Sequence, residues 1–381
     1  MMKPATAPGQ ARAADRVRHA RRPVPVHGAV VGVDTHQQTH YAVVLDPAGR
    51  LLATAQFPAS PAGYADLSQW AARHAAKTGE AGIAAFGIES TGSYGAGLVR
   101  HLLATTDGGA DIKEVVRPDR QTRAMHGKSD AIDAEAAARA VLAGTAAGRP
   151  KITTGVVEAI RNLTVARASA VRDRTSALSQ LRDLATTAPD VLRDRLLPLT
   201  ARARVDAAAA LRPDPARLGE TEHAARHAMR ALARRIRHLD TEVADLDSAL
   251  EPLVAQTAPR LLALPQVGVH TAAQLLITAG ENIDRLGSEA SFARLVGAAP
   301  IPASSGKTHR HRLDRGGDRQ ANKALYMLVI RRLRTDERTR AYRDRRSQEP
   351  RMTTKAIIRC LKRYAAREIY YALRADLLES A

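Results

Sequence analysis

The chain has 381 residues, 45% apolar and 25% charged, a composition that excludes wholesale disorder and predicts two or three domains. Lys and Arg (58) exceed Asp and Glu (39) by 19, so a polyanionic partner is expected, either nucleic acid or an acidic membrane surface. Aromatic residues make up only 3%, which argues against a base-stacking platform and favours contact with a phosphate backbone.

From the sequence we expect neither a membrane span nor a signal peptide. No run approaches the roughly 18 apolar residues that a span requires, and the N-terminus lacks an apolar stretch. A single cysteine, Cys360, excludes a disulfide framework and a cysteine-built zinc site. We therefore expect a soluble, cytoplasmic protein without a membrane partner.

Residues 1–27 are rich in proline and arginine and have no apolar period, so they predict a disordered basic tail, with extra attraction for phosphate as the alternative. Residues 28–150 read as a domain with the element order β-β-β-α-β-α-β-α. Its last helix is an alanine-rich run from Asp130 to Leu142. Three antiparallel strands followed by βα units predict an α/β fold with a mixed sheet of the RuvC and ribonuclease H class.

Residues 151–258 predict an elongated helical region. Apolar residues from Met229 to Leu253 alternate spacings of three and four for more than three heptads. A weaker apolar pattern runs from Ile160 to Leu184, and prolines separate the two stretches. An internal antiparallel hairpin and a dimerising coiled-coil stalk both remain open.

Residues 259–381 predict a mainly helical, basic C-terminal domain. The string Leu264–Gly268 followed by Thr271–Leu276 resembles a helix-hairpin-helix, whose turn offers backbone N–H groups to a DNA phosphate. Residues 301–381 hold 21 Lys and Arg against nine Asp and Glu, so most of the surplus charge is local. The surplus predicts a surface for a polyanion.

Four acidic residues are candidates for a metal site. Asp34 and Glu89 end the first and fourth predicted strands, which lie side by side in such a sheet. Asp130 and Asp133 share one face of a helix. Each pair alone is better explained as a turn former or a helix-dipole partner, but the combination predicts a set of oxygen ligands for Mg²⁺ or Mn²⁺.

A glycine- and arginine-rich stretch from Gly297 to Arg319 contains the second candidate, a Ser304–Ser305–Gly306 loop. A serine nucleophile acting on phosphate would need a nearby base or metal and arginines that hold the phosphate oxygens. The carboxylates near it are Asp314 and Asp318, while His309 and His311 read as solvated loop residues. A loop that only positions phosphate is the alternative. The basic residues of this stretch that would contact DNA phosphate are Lys307, Arg310, Arg312, Arg315 and Arg319.

Four segments of the chain together resemble the DEDD-type transposases of the insertion-sequence one-ten family. They are Val31–Asp34, Gly87–Gly92, Gly127–Ala134 and Pro302–Asn322. The resemblance covers about residues 29–145 and 260–372, and the middle of the chain is recognisable only as helical. It implies a RuvC-like domain joined by a coiled coil to a transposase domain.

The resemblance also implies residue roles and partners. Asp34, Glu89, Asp130 and Asp133 would bind the metal, and Ser305, or its neighbour Ser304, would form a phosphoserine link with the cut strand. The family recombines donor and target DNA under the guidance of a non-coding bridge RNA. It works as a homo-oligomer, a dimer or tetramer, in which the acids of one subunit meet the serine of another.

Two other functions fit the same residues. In a RuvC-like metal-dependent nuclease or resolvase, the metal would activate water and Ser305 would only position phosphate. A non-catalytic architectural protein that binds nucleic acid would use the basic surface alone. A covalent protein–DNA adduct would distinguish a recombinase from the nuclease. Activity and metal affinity that survive replacement of Asp34 or Glu89 would indicate the architectural protein.

Overall fold

The computed structural model describes residues 27–79, 82–106, 110–115, 129–146, 148–304, 311–350 and 352–379. The chain divides into two compact units at Thr154 and Gly155. Nearly all of the predicted basic tail lies outside the described residues. None of the helices described here is long and apolar enough to cross a membrane.

The first unit is built on a five-stranded mixed sheet in the order β3-β2-β1-β4-β5. Strand β1 pairs antiparallel with β2 and parallel with β4, β2 pairs antiparallel with β3, and β4 pairs parallel with β5. The strands are β1 Ala29–Thr35, β2 Thr39–Leu45, β3 Leu51–Pro58, β4 Ile83–Glu89 and β5 Asp111–Val115. The helices are α1 Pro61–Ala75, extended by a 3₁₀ turn Ala76–Thr78, then α2 Ala96–Thr105 and α3 Asp130–Leu142.

This order confirms the mixed α/β class and the succession of elements expected from the sequence, and it is consistent with a ribonuclease H-like domain. Side chains alternate between the two faces of the sheet. On one face Val31, Val33 and Phe86 pack with Leu67 of α1 and Leu98 of α2. On the other face the strands pack against the alanine-rich helix α3.

The second unit begins with a long helical hairpin. Helices α4 Val156–Thr187 and α7 Thr221–Thr257 pack along each other and run antiparallel, because Arg167 pairs with Asp247 while Arg174 pairs with Asp240. The short helices α5 Asp190–Leu196 and α6 Ala201–Ala209 and a 3₁₀ turn Pro215–Arg217 connect them. The internal hairpin left open by the sequence is therefore present, and the dimerising coiled coil stays a prediction.

The rest of the second unit is mainly helical. Its helices are α8 Pro259–Leu262, α9 Val269–Ala279, α10 Glu289–Leu295, α11 Arg319–Thr335, α12 Glu337–Ser347 and α13 Thr354–Glu379, with a 3₁₀ turn Ile283–Leu286. A two-stranded ribbon pairs β6 Ile301–Pro302 with β7 His311–Arg312. In the predicted helix-hairpin-helix turn, Gln266 rather than Gly268 adopts a positive φ, of 63°. A role of this turn in DNA binding stays a prediction.

Candidate active site

Asp34 and Glu89 lie at the carboxyl ends of two adjacent parallel strands. Val33 of β1 is in register with Ile88 of β4, so the acidic residues that follow are neighbours. The hydroxyl of Thr35 ties the two strand ends together by donating to the carbonyl oxygen of Glu89 over 3.1 Å. Both acids are buried, with 7% and 1% of their surface exposed. Burial of this kind is rare for carboxylates unless they have partners or bind a cation.

The strand pleat turns both acids toward helix α3. Val30, Gly32 and Asp34 alternate with the residues that face α1 and α2, and Ala85, Gly87 and Glu89 do the same on β4. Helix α3 begins at Asp130, where the Ser129 hydroxyl caps it by accepting from the Ile132 N–H. Its first turn therefore carries Asp130 and Asp133 to the sheet face that holds the strand-end acids.

Two glycines allow helix α3 to approach the sheet closely. A Cβ on Gly32 would lie 2.0 Å from the carbonyl oxygen of Ala134 and 2.5 Å from the amide nitrogen of Ala138. A Cβ on Gly87 would lie 2.8 Å from the carbonyl oxygen of Ala137. Because the helix backbone occupies the space of those side chains, the glycines set the distance between the strand acids and the helix acids.

His36 joins the two sets of acids. Its Nε2 lies 3.1 Å from Oδ2 of Asp34 and 3.3 Å from Oδ1 of Asp130. One ligand atom from each of these three residues lies within 4.8 Å of the others. His36 was not among the residues predicted from the sequence. The available signal was its spacing of two from Asp34, which places both side chains on the same side of an extended strand.

The acids influence one another electrostatically. Burial raises the pKa of Asp34, with Asp133 and Asp130 raising it further, while His36 opposes the shift. Asp34, Glu89 and Asp133 are buried, so this group of carboxylates favours either a bound proton or a cation. Carboxylate oxygens with one imidazole nitrogen form a donor set that suits a divalent metal ion, so these side chains fit the predicted metal site.

The second predicted site is only partly within the described residues. Ser305, Lys307 and Arg310 fall outside them, whereas Ser304 is described. Strands β6 and β7 lie before and after Ser305 in the sequence, with Pro302 in register with His311. Three of the predicted phosphate contacts, Arg312, Arg315 and Arg319, are exposed after the loop.

A polar network joins helices α11 and α13 to the segment that follows α10. The Asn322 amide donates to the carbonyl oxygens of Val296 and Gly297 over 2.9 and 2.8 Å. Its Oδ1 accepts from Nζ of the buried Lys362 over 2.6 Å. Burial lowers the pKa of this lysine. The network thus links α11 and α13 to Val296 and Gly297, which precede β6 in the sequence.

The two carboxylates considered as bases for serine differ in their environment. Asp318 caps helix α11 through the N–H groups of Gln320 and Ala321 and accepts from the Thr278 hydroxyl. It is therefore engaged in structure on both oxygens. Asp314 is buried and its Oδ1 accepts from the Gly316 N–H, but its Oδ2 has no hydrogen-bond partner among the described residues.

Both units contain segments that are similar to known protein families. The sequence model DEDD_Tnp_IS110, described as a transposase, matches residues 31–188, and that of the Transposase IS116/IS110/IS902 family matches residues 258–344. The first range contains all four candidate acids and the second contains the serine loop.

Two curated relatives are similar over shorter segments. An insertion element IS900 42 kDa protein of Mycobacterium paratuberculosis is 30% identical over 135 residues, which cover 35% of this chain and 34% of the relative. An insertion element IS110 43.6 kDa protein of Streptomyces coelicolor is 35% identical over 103 residues, 27% of this chain and 25% of the relative. The matched segments thus span about a third and a quarter of these relatives' lengths.

Proposed function

We propose, because the chain belongs to the IS110 family of insertion-sequence transposases, that it cuts and rejoins DNA strands as a site-specific recombinase. The observation that carries the proposal is the convergence of Asp34, His36 and Asp130 at a sheet edge, with Glu89 on the neighbouring strand and Asp133 on the same helix. Packing of the fold does not require acidic side chains at these positions. A phosphoryl-transfer site requires them, because it must hold cations beside a phosphate.

Asp34, Glu89, Asp130 and Asp133 would hold Mg²⁺ or Mn²⁺, with His36 beside them. A bound divalent ion supplies charge neutralisation at the scissile phosphate and favours deprotonation of the attacking hydroxyl. The protein fixes the ligands through the close contact of Gly32 and Gly87 with helix α3, which leaves the acids little freedom to move apart. Pre-organisation of this kind lowers the cost of assembling the site.

Ser305 would be the nucleophile. Its Oγ bonds to phosphorus as the bond from phosphorus to a deoxyribose oxygen breaks, and rejoining reverses the exchange. The phosphoserine ester conserves the energy of the broken bond, whereas transfer to water would lose it. Asp314 is a buried carboxylate that follows Ser305 by nine residues in the sequence, and its Oδ2 has no hydrogen-bond partner among the described residues. It would be the acceptor of the serine proton. Lys307, Arg310, Arg312, Arg315 and Arg319 would hold the phosphate oxygens.

The partners would be donor DNA, target DNA and a non-coding bridge RNA that pairs with both. The concentration of positive charge in residues 301–381 supports contact with these polyanions. Assembly as a dimer or tetramer, with the acids and the serine of one active site coming from different subunits, is part of the same proposal. The basis for this oligomeric assembly is the resemblance to the family.

A recombination assay in cells tests the proposal. A reporter plasmid would carry the element with its flanking sequences, and sequencing would count the junctions that join element ends to target DNA. Asp34→Asn, Glu89→Gln and Ser305→Ala should each reduce junctions to background, while Ser304→Ala should retain them. Broken ends without junctions in the wild type would instead support a RuvC-like nuclease. Normal levels in Asp34→Asn would support an architectural protein.

A further inference from the structure

A cavity of about 1030 Å³ lies within the second unit, between helices α11, α12 and α13 and the turn before α9. Its volume is at the upper end of the range for ligand pockets. Four arginines and three tyrosines contribute to its lining, and neither the acid cluster nor the serine loop does. It is therefore a separate feature of the molecule.

Arg332 is the buried cation of the cavity wall. Only 9% of its side chain is exposed. Its Nε donates to the carbonyl oxygen of Pro265 over 3.0 Å and its Nη1 to Oε2 of Glu368 over 2.7 Å. Its Nη2 is also buried and has no hydrogen-bond partner among the described residues. A buried donor without an acceptor is costly, so a ligand oxygen at this position would be stabilising.

Arg338, Arg345 and Arg367 supply the remaining positive charge of the lining, and none has an ion-pair partner within the described part of the chain. The two acids of the lining are already engaged. Glu368 pairs with Arg332, and Asp336 caps helix α12 by accepting from the Thr339 N–H over 2.8 Å. The cavity thus presents guanidinium groups that make no direct ion pair with a described residue, and such groups suit phosphate oxygens.

The tyrosines give the cavity aromatic surface. Tyr364 and Tyr371 are seven residues apart on α13, hence on one face of the helix, and are 54% and 51% exposed. Tyr342 contacts Tyr364 edge to face, with ring centroids 5.5 Å apart, and Arg345 lies over the Tyr342 ring. Burial first, and then contact with Cys360, raises the pKa of Tyr342 to about 12. Its phenol is thus a neutral group at physiological pH.

We infer that this cavity binds an unpaired segment of nucleic acid, with bases stacked on Tyr364 and Tyr371 and phosphates held by Arg338, Arg345 and Arg367. Exposed tyrosine faces beside unpaired guanidinium groups are the combination that single-strand binders use. A duplex keeps its bases stacked on each other, and an acidic peptide would engage the arginines but leave the tyrosine faces unused. The choice of nucleic acid as the ligand rests on the proposed function, but the inference does not require that the protein transfers DNA strands.

The composition of the whole chain argued against a stacking platform because aromatics are only 3%. That average conceals the distribution, since five of the eight tyrosines lie between residues 326 and 371. The packing of α12 against α13 then brings three of them to one cavity. The low aromatic content therefore does not exclude local stacking.

Fluorescence anisotropy of the full chain in EDTA, where metal-dependent cleavage cannot occur, tests the inference. The probes would be labelled single-stranded DNA and RNA of mixed sequence, a duplex of the same DNA and a poly-glutamate peptide. The variants would be Tyr364→Leu, Tyr371→Leu and Arg338→Gln. Matched controls are Tyr326→Leu, 45% exposed but outside the lining, and Arg340→Gln, exposed on the same helix as Arg338.

Each tyrosine substitution should weaken single-strand binding by about 5-fold to 100-fold, the range expected for loss of one stacked base, and leave duplex binding unchanged. Tyr364→Phe, which keeps the ring, should bind as the wild type does. Arg338→Gln should reduce the salt slope of single-strand binding by about 0.7, and Arg340→Gln should not. Comparing the DNA and RNA strands shows which polymer the cavity prefers.

Equal single-strand affinity in wild type, Tyr364→Leu and Tyr371→Leu would overturn the inference, as would stronger binding of poly-glutamate than of either strand. A wild-type measurement guards against misfolded variants. A 5-iodouracil strand photocrosslinked to the protein should label a peptide that contains Tyr342, Tyr364 or Tyr371, and labelling confined to other peptides would also overturn it. If the wild type binds single strands as predicted but produces no recombination junctions, the proposed function would be contradicted and this inference would stand.

Discussion

At the scale of single residues, His36 gives the acid cluster a nitrogen donor. Its Nε2 lies within 3.3 Å of carboxylate oxygens from both Asp34 and Asp130, so an ion bound by those acids would also meet the imidazole. Mg²⁺ prefers oxygen ligands almost exclusively, whereas Mn²⁺ and later transition metals accept imidazole nitrogen. His36 is thus placed to influence which cation the site prefers.

We predict that His36→Gln lowers the affinity for Mn²⁺ by about tenfold and changes the affinity for Mg²⁺ much less. Isothermal titration of the purified protein with each metal measures both constants directly. His27→Gln, an exposed position, is the control and should bind both metals as the wild type does. Equal losses for the two metals would show that His36 only orients the carboxylates.

His36 also shows why the site was only partly predictable from the sequence. Asp34, Glu89 and the Asp130–Asp133 pair could be assigned because each ends a strand or begins a helix, and those positions follow from apolar patterning. A histidine two residues past a strand-end acid looks the same whether it faces solvent or the site. Only the docking of helix α3 decides between these cases.

At the scale of elements, the contact of helix α3 with β1 and β4 determines the geometry of the site. Its bounds, Asp130–Leu142, were predictable from its alanine content and from the glycine that follows it. Its closeness to the sheet was not predicted, because Gly32 reads as an ordinary strand glycine until the helix backbone is found against it.

We predict that Gly32→Ala weakens metal binding without altering any acid. The added methyl group would meet helix backbone, which cannot rotate away as a side chain can, so the helix must shift and carry Asp130 with it. Overpacking of this kind costs about 1–3 kcal/mol. Thermal unfolding without Mn²⁺ measures the loss of stability, and the additional stabilisation by Mn²⁺ measures metal binding. Gly92→Ala, which meets nothing within 4 Å, should leave both unchanged.

Strand β2 contains a titratable group away from the acid cluster, His40, which is fully buried and stacks on Tyr64. Its Nδ1 lies 3.1 Å from the Thr39 carbonyl oxygen, so the neutral ring carries its proton there, and Nε2 has no partner among the described residues. Burial lowers the pKa of His40. The unfolded chain therefore binds a proton more readily than the folded one as the pH falls.

We predict that part of the loss of stability below the unfolded-state pKa of about 6.5 comes from His40. The neutral ring is favoured above that pH, and the folded state loses stability as the pH falls, because protonation is easier after unfolding. His40→Phe keeps the ring and removes the titration. Urea unfolding at pH 7 and pH 5 should show a smaller difference for His40→Phe than for the wild type. An identical difference would assign the acid sensitivity to other groups.

Elements that depend on distant packing were the least predictable. The heptad pattern of residues 229–253 indicated a long helix but not its partner, and the structure supplies one within the chain through ion pairs with α4. The cavity between α11, α12 and α13, here called the tyrosine cavity, is likewise lined by residues that range from 264 to 371 in the sequence. No local pattern connects positions so far apart.

At the scale of the whole molecule, the two units differ in the charged side chains that they carry. The first unit holds an acid cluster on a sheet edge, and the second holds basic helices, the serine loop and the tyrosine cavity. Helices α11 and α13 also form part of the hydrophobic core of the second unit, through residues such as Leu325, Leu328 and Leu373. The basic surface is therefore best tested by single substitutions, since deletion of residues 301–381 would remove this core.

We propose that both units act in one reaction through a covalent phosphoserine. The most direct test incubates purified protein with divalent metal, labelled donor and target DNA and the RNA transcribed from the flanking element, followed by a denaturing gel. We predict a protein–DNA band that resists denaturant in the wild type and is absent in both Ser305→Ala and Asp34→Ala. A band that persists in Ser305→Ala and vanishes in Ser304→Ala would move the nucleophile by one residue. Cleavage without any adduct would contradict the phosphoserine mechanism and indicate a metal-dependent nuclease.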